Sequence, residues 1–375
     1  MNASVYADAI RSVYPSVLGK LLNFTGSLVD AEDAVHDAIE RALSSWSAAG
    51  LPDSPEAWLV TVAQNAHRDR QRRTRRTDSR GDAVDVLAQL SPWARIAVAE
   101  PEVLRGFKDE LLRLLFACCH PALEDGESAA LALATVVGLS NDEIARAFVV
   151  VPRSMEQRLT RARKRLREKG DVEGTTPERG LARLPAVLRA IHLLFNEGYW
   201  SGEDEAPIRA DLCRLAIGLA RSVVETYPKE AEAGGLLALL LLHDARRDAR
   251  LDESGNPVPL PDQDRTRWDR GAIARATALL DRALGAGAPG PFQIEAAIAA
   301  VHCRARSAEA TEWGEIASLY ALLESFRPTA AVRVNRAFAL GKAKGPDEGL
   351  ELLARGDIDA AAYPYVHLVR GALLA

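Results

Sequence analysis

The sequence predicts an all-α protein with two small helical domains, the second containing a helix-turn-helix, followed by a longer helical array. Three observations indicate this fold class. Residues 139–169 place apolar side chains at helical spacing, a glycine- and polar-rich passage follows at Gly170–Pro177, and from about Leu181 onward the chain is rich in alanine and leucine with the same period. Of its 375 residues 48% are hydrophobic, enough for two or three domains with their own cores.

The N-terminal segment is acidic. Residues 1–67 contain three basic and eight acidic residues, although the whole chain has a net charge of only −5. The stretch Asp30–Ile39 has the pattern of a helix whose carboxylates can pair with a basic partner helix. An ordinary solvated helix is the alternative interpretation.

A second helix, beginning at Pro55, becomes basic along its length. Its apolar stripe is predicted to lie in the core and consists of Trp58, Leu59, Val62, Ala63 and Ala66. Residues 68–80 then carry seven arginines and two aspartates. Four polar residues lie off the stripe and can face a nucleic-acid strand: Asn65, Arg68, Arg72 and Arg73. Residues 81–108 show no sustained amphipathic pattern and are predicted to be a linker.

Residues 139–169 are typical of a DNA-reading helix-turn-helix, with a short capped helix, a tight turn and an arginine-rich second helix. Ser140 is predicted to cap the first helix, and Glu143 completes a capping box. Ile144, Ala145 and Phe148 supply its buried face. The second helix has a predicted core stripe of Met155, Leu159, Ala162 and Leu166.

The opposite face of that second helix is polar. Residues near its start are placed to meet base edges, and the later arginines to meet phosphates. The candidate DNA-binding residues are Arg153, Ser154, Glu156, Gln157, Arg158, Thr160, Arg161, Lys164 and Arg165. A solvated cationic helix is the alternative, but cap, turn, stripe and charge together favour DNA binding.

With these motifs, the first 170 residues resemble a bacterial RNA polymerase sigma factor of the extracytoplasmic-function type. Asp30–Ile39 resembles the family's acidic helix, D-A-E-D-x-V-Q-E-x-F, with His36, Asp37 and Ile39 replacing the usual Gln, Glu and Phe. Pro55–Asp69 resembles the family segment P-x-x-W-L-x-x-I-A-x-N-x-x-x-D.

The resemblance implies a partner and a role for each module. Residues 1–80 would form a region 2-like domain that binds the β′ coiled coil of core RNA polymerase and opens the −10 element of promoter DNA. Residues 109–170 would form a region 4-like domain that reads the −35 element and contacts the β flap. The implied polymerase-binding residues are Asp30, Glu32, Asp33, His36 and Asp37, and the implied −10 residues are Asn65, Arg68, Arg72 and Arg73.

Residues 171–375 resemble the helical-repeat extension of one branch of that family. The helical period predicts the stretches Pro185–Glu197, Asp211–Thr226, Glu230–Ala245, Trp268–Leu284, Phe292–Arg304, Trp313–Phe326, Ala330–Lys342 and Asp347–Ala354. Two units can be aligned from Pro291 and Pro328, close to the tetratricopeptide period of about 34 residues. We therefore predict a tetratricopeptide-like array with a concave face for a peptide or a neighbouring domain.

One segment interrupts the array. Arg250–Leu260 breaks the helical pattern and is predicted to form a small hairpin, with polar residues crowded on both sides. These polar residues could form a docking or sensing surface. Alternatively, they form an internal network of salt bridges and caps that fixes the hairpin.

Other functional classes receive little support from the sequence. It contains no phosphate loop, nucleophile elbow or metal-binding helix pair, so no catalysis, cofactor or metal is expected. Cys118 and Cys119 fall in an apolar helix and are predicted to be core residues. The absence of a long apolar run or a leader at the N-terminus leads us to expect a cytoplasmic protein that makes no membrane contact.

The expected function is therefore that of a sigma factor that directs core RNA polymerase to specific promoters, with its C-terminal domain regulating it in cis through contact with the sigma domains. The nearest alternative is a helix-turn-helix regulator with a helical-repeat interaction domain that never joins polymerase.

Overall fold

The computed structural model describes residues 3–78, 110–148, 150–169, 177–199, 208–355, 358 and 363–374. Within these ranges the regular elements are helical, and the predicted all-α fold is confirmed. Contacts divide the chain into two compact units, Met1–Asn196 and Glu197–Ala375. The predicted linker, residues 81–108, lies outside the described residues.

The first unit begins with three helices that pack on one another, α1 (Ala3–Thr25), α2 (Leu28–Ala49) and α3 (Pro55–Asp78). Ser27 caps α2 by accepting a hydrogen bond from the backbone N–H of Asp30. The helix ends at Gly50, whose φ of 86° lies in the region that favours glycine.

The core of this bundle is built around Trp46, which is 1% exposed. Its ring makes edge contacts with Tyr6 from α1 and Trp58 from α3. Trp58 is half-buried and packs on Trp46. Of the rest of its predicted stripe, Leu59, Ala63 and Ala66 are buried and Val62 is half-buried. This packing turns the opposite side of α3 outward.

The helix-turn-helix is preceded by two short helices. The elements are α4 (Glu110–Cys118), α5 (Asp125–Ala132), a π-helical turn (Leu133–Val137), α6 (Asn141–Ala147) and α7 (Pro152–Lys169). Gly138 ends the π-helical turn with a φ of 73°, which a residue with a side chain would adopt only at a cost. Cys118 and Cys119 are fully buried, as predicted.

Helix α8 (Pro177–Tyr199) extends the predicted Pro185–Glu197 stretch at both ends. Arg183 on this helix is buried and donates a hydrogen bond to the carbonyl of Phe116 in α4. Most of α8 consequently belongs to the first unit, and the division by contacts falls at 196–197. The sequence-based boundary near 170 lies earlier in the chain.

The second unit continues with helices whose bounds lie within two residues of the predicted stretches. They are α9 (Ala210–Thr226), α10 (Ala231–Asp244), α11 (Arg270–Leu284), α12 (Pro291–Arg304), α13 (Trp313–Phe326), α14 (Ala330–Lys344) and α15 (Pro346–Arg355). A further helix, α16 (Tyr365–Leu374), was not predicted. Helix pairs begin near Pro291 and Ala330 as expected, and the tetratricopeptide character of the array stays a prediction.

Helices α10 and α12 approach closely at Gly235, where an added Cβ would lie 2.5 Å from Cγ of Gln293. Gln293 is fully buried. The carboxylate of Glu232 caps the start of α12, accepting a hydrogen bond of 2.6 Å from the N–H of Phe292. The small residue Gly235 and the capping carboxylate of Glu232 thus hold α10 and α12 together.

The predicted hairpin is confirmed. Leu251 and Pro257 form an isolated antiparallel bridge, and Val258 N–H donates to the carbonyl of Arg250 at 2.7 Å. Asp252 holds the turn by accepting hydrogen bonds from the N–H groups of Ser254 and Asn256. Among the described residues, no helix has the length and apolar character needed to cross a membrane.

Candidate nucleic-acid and polymerase interface

Helix α7 has two clearly different faces. Its predicted stripe is confirmed, because Met155, Leu159, Ala162 and Leu166 are 0–9% exposed. Seven of the nine candidate DNA-binding residues are exposed on the other face: Arg153, Ser154, Glu156, Gln157, Thr160, Arg161 and Lys164. The helix therefore presents donors and acceptors to solvent over a fully packed base, the arrangement that major-groove reading requires.

Helix α6 and the turn after it hold α7 in position. The predicted capping box is present, with Ser140 Oγ accepting from Glu143 N–H and Glu143 Oε2 accepting from Ser140 N–H at 2.7 Å. The guanidinium of Arg158 lies 5.6 Å from the ring centre of Phe148 at the end of α6. Arg158 is half-buried and so contributes to this packing as well as to the basic surface.

Arg165, the last of the nine candidates, has an ion-pair partner inside the domain. Its Nη1 lies 2.6 Å from Oε2 of Glu127 on α5, a side chain that is 6% exposed. The same carboxylate oxygen accepts a hydrogen bond from the N–H of Glu124 at the start of α5. Arg165 therefore braces α7 against α5, a role that its position in the basic run did not reveal.

A second ion pair joins α7 to α2. Arg163 Nε lies 3.1 Å from Oε2 of Glu32, and Thr135 Oγ1 donates to Oε1 of the same carboxylate at 3.2 Å. Glu32 is only 5% exposed, so this contact is largely shielded from water. Burial, with the nearby Glu32 carboxylate, raises the pKa of the Tyr14 hydroxyl well above its usual range. A region 2 carboxylate is thus bonded to the helix that carries the candidate −35 residues.

The five candidate polymerase-binding residues of α2 consequently lie in different environments. Asp30 and His36 are exposed, whereas Glu32 is buried, so they do not form one continuous exposed row. Asp33 and Asp37 are half-exposed and pair with Arg70 of α3 at 3.0 and 2.7 Å. The arginine run of α3 therefore neutralises part of the acidic surface of α2.

The structure describes the side chains of two of the four candidate −10 residues on α3. Asn65 and Arg68 are exposed, and the guanidinium of Arg68 lies 5.3 Å from the ring centre of Phe24. Arg72 and Arg73 continue the same helix, but their side chains lie outside the described residues. Asn65 and Arg68 are one helical turn apart, so their exposed polar side chains are neighbours on α3.

The fold and this surface define a helical protein with a helix-turn-helix whose second helix has an exposed polar face, and a separate helix on which Asn65 and Arg68 are exposed. The sequence matches Sigma-70 region 2 over residues 9–77 and Sigma-70 region 4 over residues 113–166. The chain belongs to the sigma-70 family, as a sigma factor of the extracytoplasmic-function type with a C-terminal extension.

Residues 183–284 of the extension match a family of unknown function, DUF6596. The chain is also 42% identical over 370 residues to an uncharacterized protein, R00370, of Rhizobium meliloti (strain 1021). The match covers 98% of this chain and 86% of that relative, so it extends over both the sigma regions and the extension of this chain. No solved structure matches the chain significantly.

Proposed function

We propose that this protein directs core RNA polymerase to specific promoters and initiates transcription there. The observation that carries the proposal is the exposed polar face of α7, held by a capping box and a buried stripe within the unit that also contains region 2. A regulator that only bound DNA would need the helix-turn-helix but not the α3 segment, and this chain has both.

In this proposal α7 reads the −35 element through Arg153, Gln157 and Arg161, while Asn65 and Arg68 of α3 contact the −10 strand. Arginine contacts to phosphate release counterions, so promoter affinity falls steeply as salt concentration rises. The acidic α2 contacts the β′ coiled coil through Asp30 and His36 first, because these two are already exposed.

One observation favours the alternative, a DNA-binding regulator that does not join polymerase. Glu32, Asp33 and Asp37 are all engaged by arginines within the first unit. Polymerase binding through these three carboxylates would have to replace those ion pairs. A direct test of polymerase binding is therefore needed as well as a test of DNA binding.

The test uses purified full-length protein, labelled core RNA polymerase and a promoter selected from a random library by the reconstituted complex. Arg161→Ala is the informative variant, because Arg161 is exposed whereas Arg158 also packs on Phe148. We expect promoter affinity to fall by about 1–3 kcal/mol, and the salt slope to decrease by about 1 if Arg161 contacts phosphate. Core binding should not change.

Arg275→Ala is the matched control, since Arg275 is an exposed arginine of the second unit. It should leave both affinities unchanged. Failure of the unmodified protein to bind core polymerase would contradict the proposal and support the alternative regulator. Equal promoter affinity of the Arg161 and Arg275 variants would contradict the assigned role of α7.

A further inference from the structure

The second unit contains a cavity of about 400 Å³ that sigma-factor function does not explain. It lies between the end of α10, the hairpin and the start of the second unit. Its polar lining comes from Tyr199, His243, Arg246, Arg250 and Gln263, and its apolar lining from residues 257–260. Its volume falls within the range of about 300–1,000 Å³ of small-molecule sites.

Arg246 is the most informative residue of this lining. It is only 6% exposed, and its Nη2 lies 2.7 Å from Nδ1 of His243. Its Nε has no hydrogen-bond partner and is fully buried. Among the residues that the structure describes, no carboxylate lies within ion-pair distance of Arg246. A buried guanidinium without a counter-charge is costly, and an anion in the cavity would offset that cost.

Two neighbouring arginines show what a purely structural role looks like here. Arg265 Nη1 donates to the carbonyls of His302 and Ala305, and Arg270 Nη1 donates to the carbonyl of Cys303. Both therefore cap the C-terminal end of α12, where cations are stabilised by the helix dipole. The Arg246 side chain instead contacts the His243 ring, and among the described residues no backbone carbonyl accepts a hydrogen bond from it.

The three arginines also surround one indole. The guanidinium carbons of Arg246, Arg265 and Arg270 lie 5.8, 4.6 and 5.8 Å from the ring centre of Trp268. Burial, followed by repulsion from Arg246 and Arg270, lowers the pKa of the Arg265 guanidinium. Three guanidinium groups are therefore concentrated at this indole, and this local positive charge favours a negatively charged occupant beside Arg246.

The lining of the cavity is partly cationic and partly apolar. Arg250 lies over the ring of Tyr199 at 3.8 Å, which orients its guanidinium beside the polar lining. The hairpin supplies Pro257, Val258, Pro259 and Leu260 to the other lining. The two prolines have no N–H to satisfy, so this side suits a hydrocarbon or aromatic body.

We propose that this cavity binds a small organic anion, whose carboxylate or phosphate is held by Arg246 and Arg250 and whose apolar body packs on residues 257–260. Arginine suits this role because its planar donors match both anions with two parallel hydrogen bonds. The site lies wholly within the second unit, and the proposal holds whether or not the protein joins polymerase.

The test is isothermal titration calorimetry of the full-length protein at low salt with benzoate and phenyl phosphate, and with benzamide as the neutral counterpart. We expect saturable one-to-one binding of at least one of the two anions and none of benzamide. Arg246→Gln and Arg250→Gln should each weaken that binding about tenfold or more, since hydrogen bonds to charged groups contribute about 1.5–3 kcal/mol.

Arg275→Gln, an exposed substitution on α11, is the control and should bind as the unmodified protein does. Arg250 is less buried than Arg246, so its replacement disturbs folding less. The Arg250 variant therefore still tests the proposal if the Arg246 variant does not fold. Binding of neither anion, equal binding of benzamide, or unchanged affinity in folded variants would overturn the proposal.

Discussion

The environment of some residues follows from the local periodicity of the sequence. Other residues contact a partner that is far away along the chain, and their environment cannot be predicted in this way. Met155 and Leu159 repeat at helical spacing, so their burial could be predicted from the sequence. Glu32 and Arg163 are 131 positions apart, and no local pattern indicates that they meet. For the same reason, the position of Arg165 in a basic run did not reveal its contact with Glu127.

The Glu32 contact leads to a prediction about stability. Glu32→Gln keeps a group that can accept from Thr135 but leaves Arg163 without its carboxylate partner. Because Glu32 is buried and Arg163 is partly exposed, we expect the free energy of unfolding to fall by about 1–3 kcal/mol. Urea unfolding of the purified protein measures the change.

Glu40→Gln is the control on the same helix, where the side chain is exposed and the cost should stay within about 0.5 kcal/mol. Adding Arg163→Gln to both backgrounds completes a double-mutant cycle. Equal costs for the two glutamate variants, with no coupling to Arg163, would show that the ion pair does not contribute to stability.

Helices were predictable where a clear apolar period is bounded by residues that break it. Trp313–Phe326 was predicted to the residue, and the glycine- and proline-rich hairpin was recognised because it breaks the period. Helix α16 was missed because it has no Ser, Thr, Asp or Asn before it and contains Gly371. Its stability comes from packing, since Val366 and Leu373 join a core with Val334 and Leu353.

The close contact of α10 and α12 leads to a prediction at this scale. Gly235→Ala would place a methyl group 2.8 Å from the backbone N of Gln293. Backbone atoms cannot yield cheaply, so we expect overpacking to lower the free energy of unfolding by about 1–3 kcal/mol. The loss of unfolding free energy is measured from the thermal and urea unfolding transitions of the second unit.

Gly218→Ala on α9 is the matched control, because its added methyl group meets nothing within 4 Å. Alanine is favoured over glycine in a helix by up to about 1 kcal/mol, so this variant should be neutral or more stable. A Gly235 variant as stable as the Gly218 variant would indicate that α10 and α12 can separate without cost.

For the whole molecule, the sequence predicted the order of modules but not the limits of the compact units. Residues 170–177 are rich in glycine and polar residues, which favours a boundary there. The structure instead gives most of α8 to the first unit, where Arg183 is buried against α4. A boundary of this kind depends on tertiary burial, which composition alone does not report.

This division gives a specific truncation. A chain that ends at Asn196 keeps the whole first unit, including the Arg183 contact. If the second unit regulates in cis, promoter-directed transcription in vitro should change several-fold relative to the full chain. Core binding by the truncated chain is the control for folding, and unchanged transcription would contradict regulation in cis.

The ion pair between α2 and α7 has a thermodynamic consequence. One carboxylate cannot bind Arg163 and a polymerase cation at full strength, so any partner that takes Glu32 competes with α7. Such competition is reciprocal. The free energy that holds Glu32 to α7 is lost from the binding of α2 to its partner, so an event that moves α7 away raises the affinity of α2 for that partner by the same free energy. Promoter occupancy by α7 and polymerase affinity at α2 would then be two readings of a single equilibrium.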